Sequence, residues 1–307
     1  MSMLETKNID YVEHPKRYIG SSPGEIADFL YQTEMNNVDQ QVVDSFGDEW
    51  TKFNSFDDNE LATIGDEYFD ILPESIYNTN TTVLDVGCGT GRWTKYLCNK
   101  VGFVDAVDPS EAILIAQKIL SGKNVRFTKA TTDNLPFPIS SYDLVMSIGV
   151  LHHIPNTATA MQACVEKVKK GGYFYVYLYY DFENRGVIFK TLFGIADIVR
   201  RMVSHLPSKI KKIVCEMIAV TVYLPFIFLS RFLFWMGFKK ISNKIPLSYY
   251  RNKSFFIVRN DALDRFGTKL EQRFSKRKIE EMMTSCGLTN IQFSNYSPFW
   301  HAIGIKQ

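Results

Sequence analysis

The chain has little with which to build covalent or metal staples. Its five cysteines, Cys88, Cys98, Cys164, Cys215 and Cys286, are scattered, odd in number and form no CxxC pair. That argues against a disulfide framework and a thiolate zinc site, and no metal is expected. A reducing, cytoplasmic setting is the expectation. The first thirty residues hold no apolar run of signal-peptide type, so secretion is not expected. Internal repeats and low-complexity tracts are also missing. Net charge is nearly absent, at +2 over 307 residues, but this balance hides a segregation. Residues 185–253 carry thirteen Lys and Arg against only Asp197 and Glu216, a net of +11, which leaves −9 for the remainder. A basic, aromatic-rich module within an acidic protein points toward an anionic partner.

What is present is a large apolar fraction, 46% of residues, enough for one core with additions. The middle third alternates short apolar runs with helical patterns: "TVLDVG" (82–87), "VDAVD" (104–108), "VRFTKA" (125–130), "YDLVMSIG" (142–149) and "YFYVYLYY" (173–180). Runs of this length separated by a helix each predict βαβ units and a parallel sheet. "TNIQFS" (289–294) and "HAIGIK" (301–306) flank a turn-like "NYSPFW" and predict a terminal antiparallel hairpin. The helix before them is expected over about Lys276 to Cys286, with Ser275 as N-cap and Gly287 as its stop. Four segments follow: 1–80, a mainly helical arm over the ligand edge, with "SPGE" (Ser22 to Glu25) resembling a capping box and "DSFGDEW" ending on Trp50; 81–184, an α/β core; 185–253, a basic apolar helical insertion; and 254–307, which completes the sheet.

The stretch "VLDVGCGTG" (83–91) sets three glycines at alternate positions behind an apolar run. A strand feeding a helix through such a turn brings backbone amides and the helix's positive end close to a ligand. A dinucleotide fingerprint would need glycine at Arg92, and no GK[ST] follows for a phosphate loop. What remains is Asp85, Gly87, Gly89 and Gly91, with an acid, Asp108, at the end of the next strand, where a carboxylate can accept hydrogen bonds from both hydroxyls of a ribose. Asp85 either caps the turn or touches the ligand directly.

Together with "AVDPS", "DNLPFPISSYDLV", "SIGVLHHIPN" and "VKKGGYFYVYLYY", all in order between about Thr81 and Tyr180, this stretch resembles the class I S-adenosylmethionine-dependent methyltransferases, of the type 11-like kind. The resemblance implies a Rossmann-like α/β fold: a mostly parallel seven-stranded sheet with a terminal antiparallel hairpin and a helical insertion after the fifth strand. It implies S-adenosyl-L-methionine as cofactor, with Gly87, Gly89 and Gly91 bordering the methionine portion, Asp108 on the ribose, and Asp133, Asn134 and Leu135 flanking the adenine. One departure is that many relatives carry an acid four residues before this leucine, where Thr131 stands; Asp133 substitutes, or the backbone alone holds the adenine.

Methyl transfer from a sulfonium is an in-line displacement, so the protein mainly aligns and desolvates the acceptor. An alcohol acceptor must also lose a proton. His152 and His153 of "LHHIPN" follow the fourth strand, where ligands collect in open α/β sheets, and are the candidate general bases; the alternative is that one fills a gap and the other caps a turn. Trp50, Tyr179, Asp181 and Arg265 are candidate acceptor contacts, the last within "RNDALDRFGTKLEQRF" (259–274), a dense polar block that reads equally as a solvent-facing ion-pair cluster. That block and "FGDEW" look similar to a branch associated with bacterial surface-glycan biosynthesis. Signatures for amino groups of bases, cytosine or arginine acceptors are missing, so the reading is O-methylation of a sugar or other small polar acceptor, in some form lipid-linked, with no nucleic acid expected. C-methylation of a prenylated quinone-type ring is the enzymatic alternative, and a non-catalytic cofactor-binding or membrane-scaffold protein the other.

In the insertion, "MIAVTVYLPFIFLS" (217–230) is fourteen uncharged residues, shorter than a span requires, and Pro225 is expected to kink it. Lys211 and Lys212 precede it and Lys239 and Lys240 follow, a symmetry that suits a monotopic hairpin on an anionic surface at the inner membrane face. A soluble cap or a homodimer contact stays open.

Overall fold

The computed structural model describes residues 9–20, 25–30, 37–40, 43, 58–183 and 186–307. Trp50, most of "SPGE" and all of "DSFGDEW" lie outside them. The chain divides into two compact units, Met1–Glu183 with Leu270–Gln307, and Asn184–Lys269.

In the first unit, β3 (Thr82–Val86), β4 (Phe103–Val107), β5 (Val125–Lys129), β6 (Tyr142–Ile148) and β7 (Val168–Tyr177) are the five expected runs, and they pair in parallel in the order β5-β4-β3-β6-β7. All residues of β3 and β4 are buried, because helices cover both faces of such a sheet and leave no side for alternation. β9 (His301–Lys306) runs antiparallel to β7, and β8 (Leu288–Phe293) antiparallel to β9. The helix Lys276–Ser285 begins where Ser275 accepts a hydrogen bond from the Lys278 amide and stops before Gly287 at φ +83°.

Two short strands extend the seven. β1 (Arg17–Ile19) and β2 (Ile26–Asp28) form an antiparallel pair whose second strand adds in parallel to β5, so the arm expected to be mainly helical also closes a sheet edge. An unpaired β5 would present bare N–H and C=O groups, and Ile26, Ala27 and Phe29 are buried against it. The arm's helix, Asp58–Tyr68, leads into Asp70, which accepts a hydrogen bond of 2.7 Å from His301 Nε2. Sheet and arm are thereby fastened at β9.

The buried charge on β4 is compensated in full. Asp105 receives two bonds from the Arg126 guanidinium, at 2.6 and 3.0 Å, and one from the Tyr142 hydroxyl at 2.7 Å. Burial still pushes its carboxyl up, against the pull of Arg126. Such a group costs several kcal/mol if orphaned, so the three strands β4, β5 and β6 are tied by it.

The second unit is helical. It reaches Lys269 rather than Lys253, because the helix Phe255–Gly267 packs on Val187–Ser204 and Ser208–Ile218. The expected hairpin is not formed. Ser208–Ile218, a π-helical turn Ala219–Tyr223 and Leu224–Trp235 run on as one 28-residue helix, long and apolar enough to cross a membrane by length and composition. Pro225 sits in the first turn of the last piece, where its missing N–H and its ring are accommodated by the preceding π turn instead of breaking the helix.

Candidate cofactor and acceptor site

The glycine turn joins β3 to the helix Arg92–Leu97, and all three glycines are in the left-handed region, with φ of +83°, +55° and +81° at Gly87, Gly89 and Gly91. Side chains are excluded for distinct reasons. A Cβ at Gly87 would meet Val150 Cγ2 at 2.4 Å, whereas one at Gly89 would meet nothing within 4 Å. Gly87 is thus a packing requirement, and Gly89 is the position whose backbone faces open space that a ligand can enter. The amides of Gly87 and Cys88 both donate to the Val107 carbonyl, at 2.8 and 2.9 Å, which binds the turn to β4.

Asp108 follows β4 directly. Its Oδ2 accepts from the Gly89 amide at 2.8 Å, and its Oδ1 from the Ser110 amide and hydroxyl at 2.8 and 2.5 Å. Burial pushes this carboxyl up, and the three donors pull it back. The acid therefore holds the glycine turn in shape as well as standing at the strand end.

Asp85 is buried and accepts from the Thr94 hydroxyl at 2.6 Å. This contact anchors the helix behind the turn. Desolvation pushes its carboxyl up to about 7. In the unfolded chain the group ionises near 3.8, so between those values the folded state holds a proton the unfolded state has lost, and its contribution to stability falls as pH rises from about 4 to about 7. Asp85→Asn keeps the acceptor for Thr94 and removes the titration. Thermal melts should show the variant drawing level below that window and gaining on the wild type above it.

Asp133 and Asn134 lie on the single 3₁₀ turn Thr132–Asn134, followed by buried Leu135. Asp133 Oδ2 accepts from the backbone amide of Asn37, so the arm uses this carboxylate. Asn37 also donates from Nδ2 to the Asn156 carbonyl at 2.9 Å and accepts from the Asn156 amide at 2.6 Å. Nothing in the sequence marked Asn37. The hydroxyl of Thr132 is buried without a hydrogen-bond partner among the described residues, an orphaned polar group in the segment expected at the adenine.

The two histidines differ. His152 is fully buried, lies against Tyr179 with ring centroids 3.9 Å apart, and neither ring nitrogen has a hydrogen-bond partner among the described residues. Desolvation, and then the neighbouring His153 and Arg273, hold its pKa well below the ordinary histidine value. His153 is buried as well, and its Nδ1 is 2.7 Å from the Leu270 carbonyl. A carbonyl only accepts, so Nδ1 carries the proton and Nε2 is left as the basic nitrogen. Both rings follow Val150, the residue that packs on Gly87, which brings them to the same end of the sheet as the glycine turn. Tyr179 is joined to them and, at 5.9 Å, to Tyr177, which meets Tyr68 of the arm.

Two further candidates have contacts of their own. Asp181 is exposed and caps its own turn through the Glu183 amide. Arg265 belongs to the second unit, on the helix Phe255–Gly267, and the polar block that held it is divided: Asp261 accepts from Tyr250 in that unit, whereas Glu271 pairs with Arg273 in the first. The block is therefore shared between the two units. Its spacing in sequence gave no sign of the unit boundary at Lys269.

Residues 84–176 match the family model described as "Methyltransferase domain". Residues 84–176 thus form a methyltransferase domain. Among curated proteins, the domain and its surroundings are 30% identical over 145 residues to the ubiquinone biosynthesis O-methyltransferase of Dechloromonas aromatica, and 28% over 150 residues to that of Marinobacter nauticus. These matches cover 45% and 46% of this chain and 62% of each relative, so the chain spans about three-fifths of their length. Among solved structures, human N-acetylserotonin methyltransferase in complex with S-adenosylmethionine is similar at 14% identity and a TM-score of 0.47, over 79% of this chain and 51% of that one. The YcgJ protein of Bacillus subtilis is similar at 14% and 0.45, over 76% and 70%. The methyltransferase domain fits its cofactor on two observations made above: open space at Gly89, where only glycine's backbone stands, and the unpartnered Thr132 hydroxyl.

Proposed function

We propose that the protein transfers the methyl group of S-adenosylmethionine to a hydroxyl of a small polar acceptor. The single observation that carries O-methylation is the His153 ring, fixed by Leu270 so that Nε2 is the basic nitrogen. The bound cofactor supplies an electrophilic methyl on a sulfonium. His153 takes the hydroxyl proton at Nε2 as the oxygen becomes nucleophilic, and the Leu270 carbonyl steadies the resulting imidazolium through Nδ1–H. His152, neutral and buried, serves with Tyr179 as an apolar wall that keeps water from the reacting oxygen.

The names of the curated relatives, O-methyltransferases, support this reading over C-methylation of a quinone-type ring. A non-catalytic scaffold would have no use for an oriented imidazole at this end of the sheet. Purified protein incubated with methyl-labelled cofactor and cell extract should yield labelled products in which mass spectrometry places the methyl on oxygen. Label on carbon, or cofactor binding with no product from any acceptor pool, would sink the reading.

A further inference from the structure

We infer that the second unit docks on an anionic bilayer surface, with the helix Ser208–Trp235 lying in the interface plane. On that helix Ile213, Met217, Val220, Phe228, Phe232 and Trp235 are exposed. They recur at three-, four- and eight-residue steps and so form one stripe along its length. The opposite face is covered by the unit itself: Cys215, Ala219, Tyr223, Ile227 and Ser230 are buried, Tyr223 meets the Tyr250 ring, and Ser230 is hydrogen-bonded to Ser242. The neighbouring helix Val187–Ser204 adds exposed Ile195, Ile198 and Met202. An apolar stripe of this extent marks an interaction surface.

Charge selects the occupant. Exposed lysines stand at both ends of the stripe, Lys209 at one and Lys239 and Lys240 at the other, in a segment of net +11. An anionic lipid surface answers both features, with acyl chains under the stripe and headgroups at its ends. A second copy of the chain would set basic ends against basic ends in either relative direction. A spanning arrangement is opposed by two exposed charged residues of the helix, Glu216, which pairs with Arg259, and Arg231, which donates to the Arg251 carbonyl. From Glu216 to Arg231 the helix rises about 22 Å, fifteen steps of about 1.5 Å each, short of the ~30 Å hydrocarbon core, so a spanning helix would draw these polar groups into the bilayer.

The full-length protein is floated with vesicles of phosphatidylcholine alone and with vesicles of equal parts phosphatidylcholine and phosphatidylglycerol. Binding is expected to the anionic vesicles, weakened by salt. Each near-surface lysine contributes about fivefold, so Lys239→Glu with Lys240→Glu, which removes two positive charges and adds two negative ones, should lower partitioning by at least about 25-fold. Phe228→Asp with Phe232→Asp should remove the binding that survives high salt. Calorimetry with S-adenosylmethionine on every variant shows that the first unit is intact, independently of methyl transfer. The inference is overturned if the wild type ignores both vesicles, if Phe228→Asp instead dissolves a dimer, or if alkaline carbonate fails to extract a protein whose binding is unaffected by the charge reversals.

Discussion

Asp108→Asn should lose at least about a hundredfold in affinity for S-adenosylmethionine while remaining folded. The carboxylate stands at the end of β4, where the resemblance puts the ribose, and it already accepts from Gly89 and Ser110. A carboxylate has about four lone-pair sites and three are taken, so one ribose hydroxyl adds to these bonds and a second takes the place of the Ser110 hydroxyl. Two charge-assisted hydrogen bonds at about 1.5 kcal/mol or more each amount to about 3 kcal/mol. The amide substitution keeps the shape but loses the charge and exchanges one acceptor for a donor that faces the Gly89 or Ser110 amide. Both the ligand contact and the set of the glycine turn then suffer. Calorimetry is the direct measurement, with circular dichroism to confirm the fold. Unchanged affinity in a folded variant would remove the ribose assignment.

His153→Asn should lower kcat by about a hundredfold or more with cofactor affinity retained. The amide can still reach the Leu270 carbonyl and so preserves the local structure, but it has no basic nitrogen. His152→Phe should be milder, because a neutral ring that packs on Tyr179 is replaced by another apolar ring. The contrast separates base from wall. Comparable turnover losses in both variants, or none in His153→Asn, would contradict the assignment, and a rate in His153→Asn that recovers with pH would indicate that hydroxide had taken over the proton.

Much of the first unit was legible in the sequence because its determinants are local. A run such as "TVLDVG" cannot be anything but buried strand and turn, and three left-handed backbone positions in five residues require glycines. The same holds for Ser275 and Gly287 at the ends of their helix. Determinants that act between distant segments left no such trace. Asn37 becomes informative only when the chain brings it to Asp133 and Asn156, and the difference between His152 and His153 depends on a carbonyl more than a hundred residues away, at Leu270. Pro225 misled for a related reason. Proline usually ends a helix, but the π turn before it depends on how residues 219–223 pack on the unit around them. The edge strands Arg17–Ile19 and Ile26–Asp28 were too short, at three residues each, to show a period.

Asn37 spans two loops that the sheet itself leaves separate, its backbone amide on Asp133 of the one at Thr132–Leu135 and its side chain on Asn156 of the one at Ile154–Asn156. Three hydrogen bonds through one residue make these loops a single mechanical body. Neither can swing outward alone without breaking hydrogen bonds to Asn37, so the two loops are expected to open together, which hydrogen exchange at the Asn37 and Asn156 amides would show as a common rate.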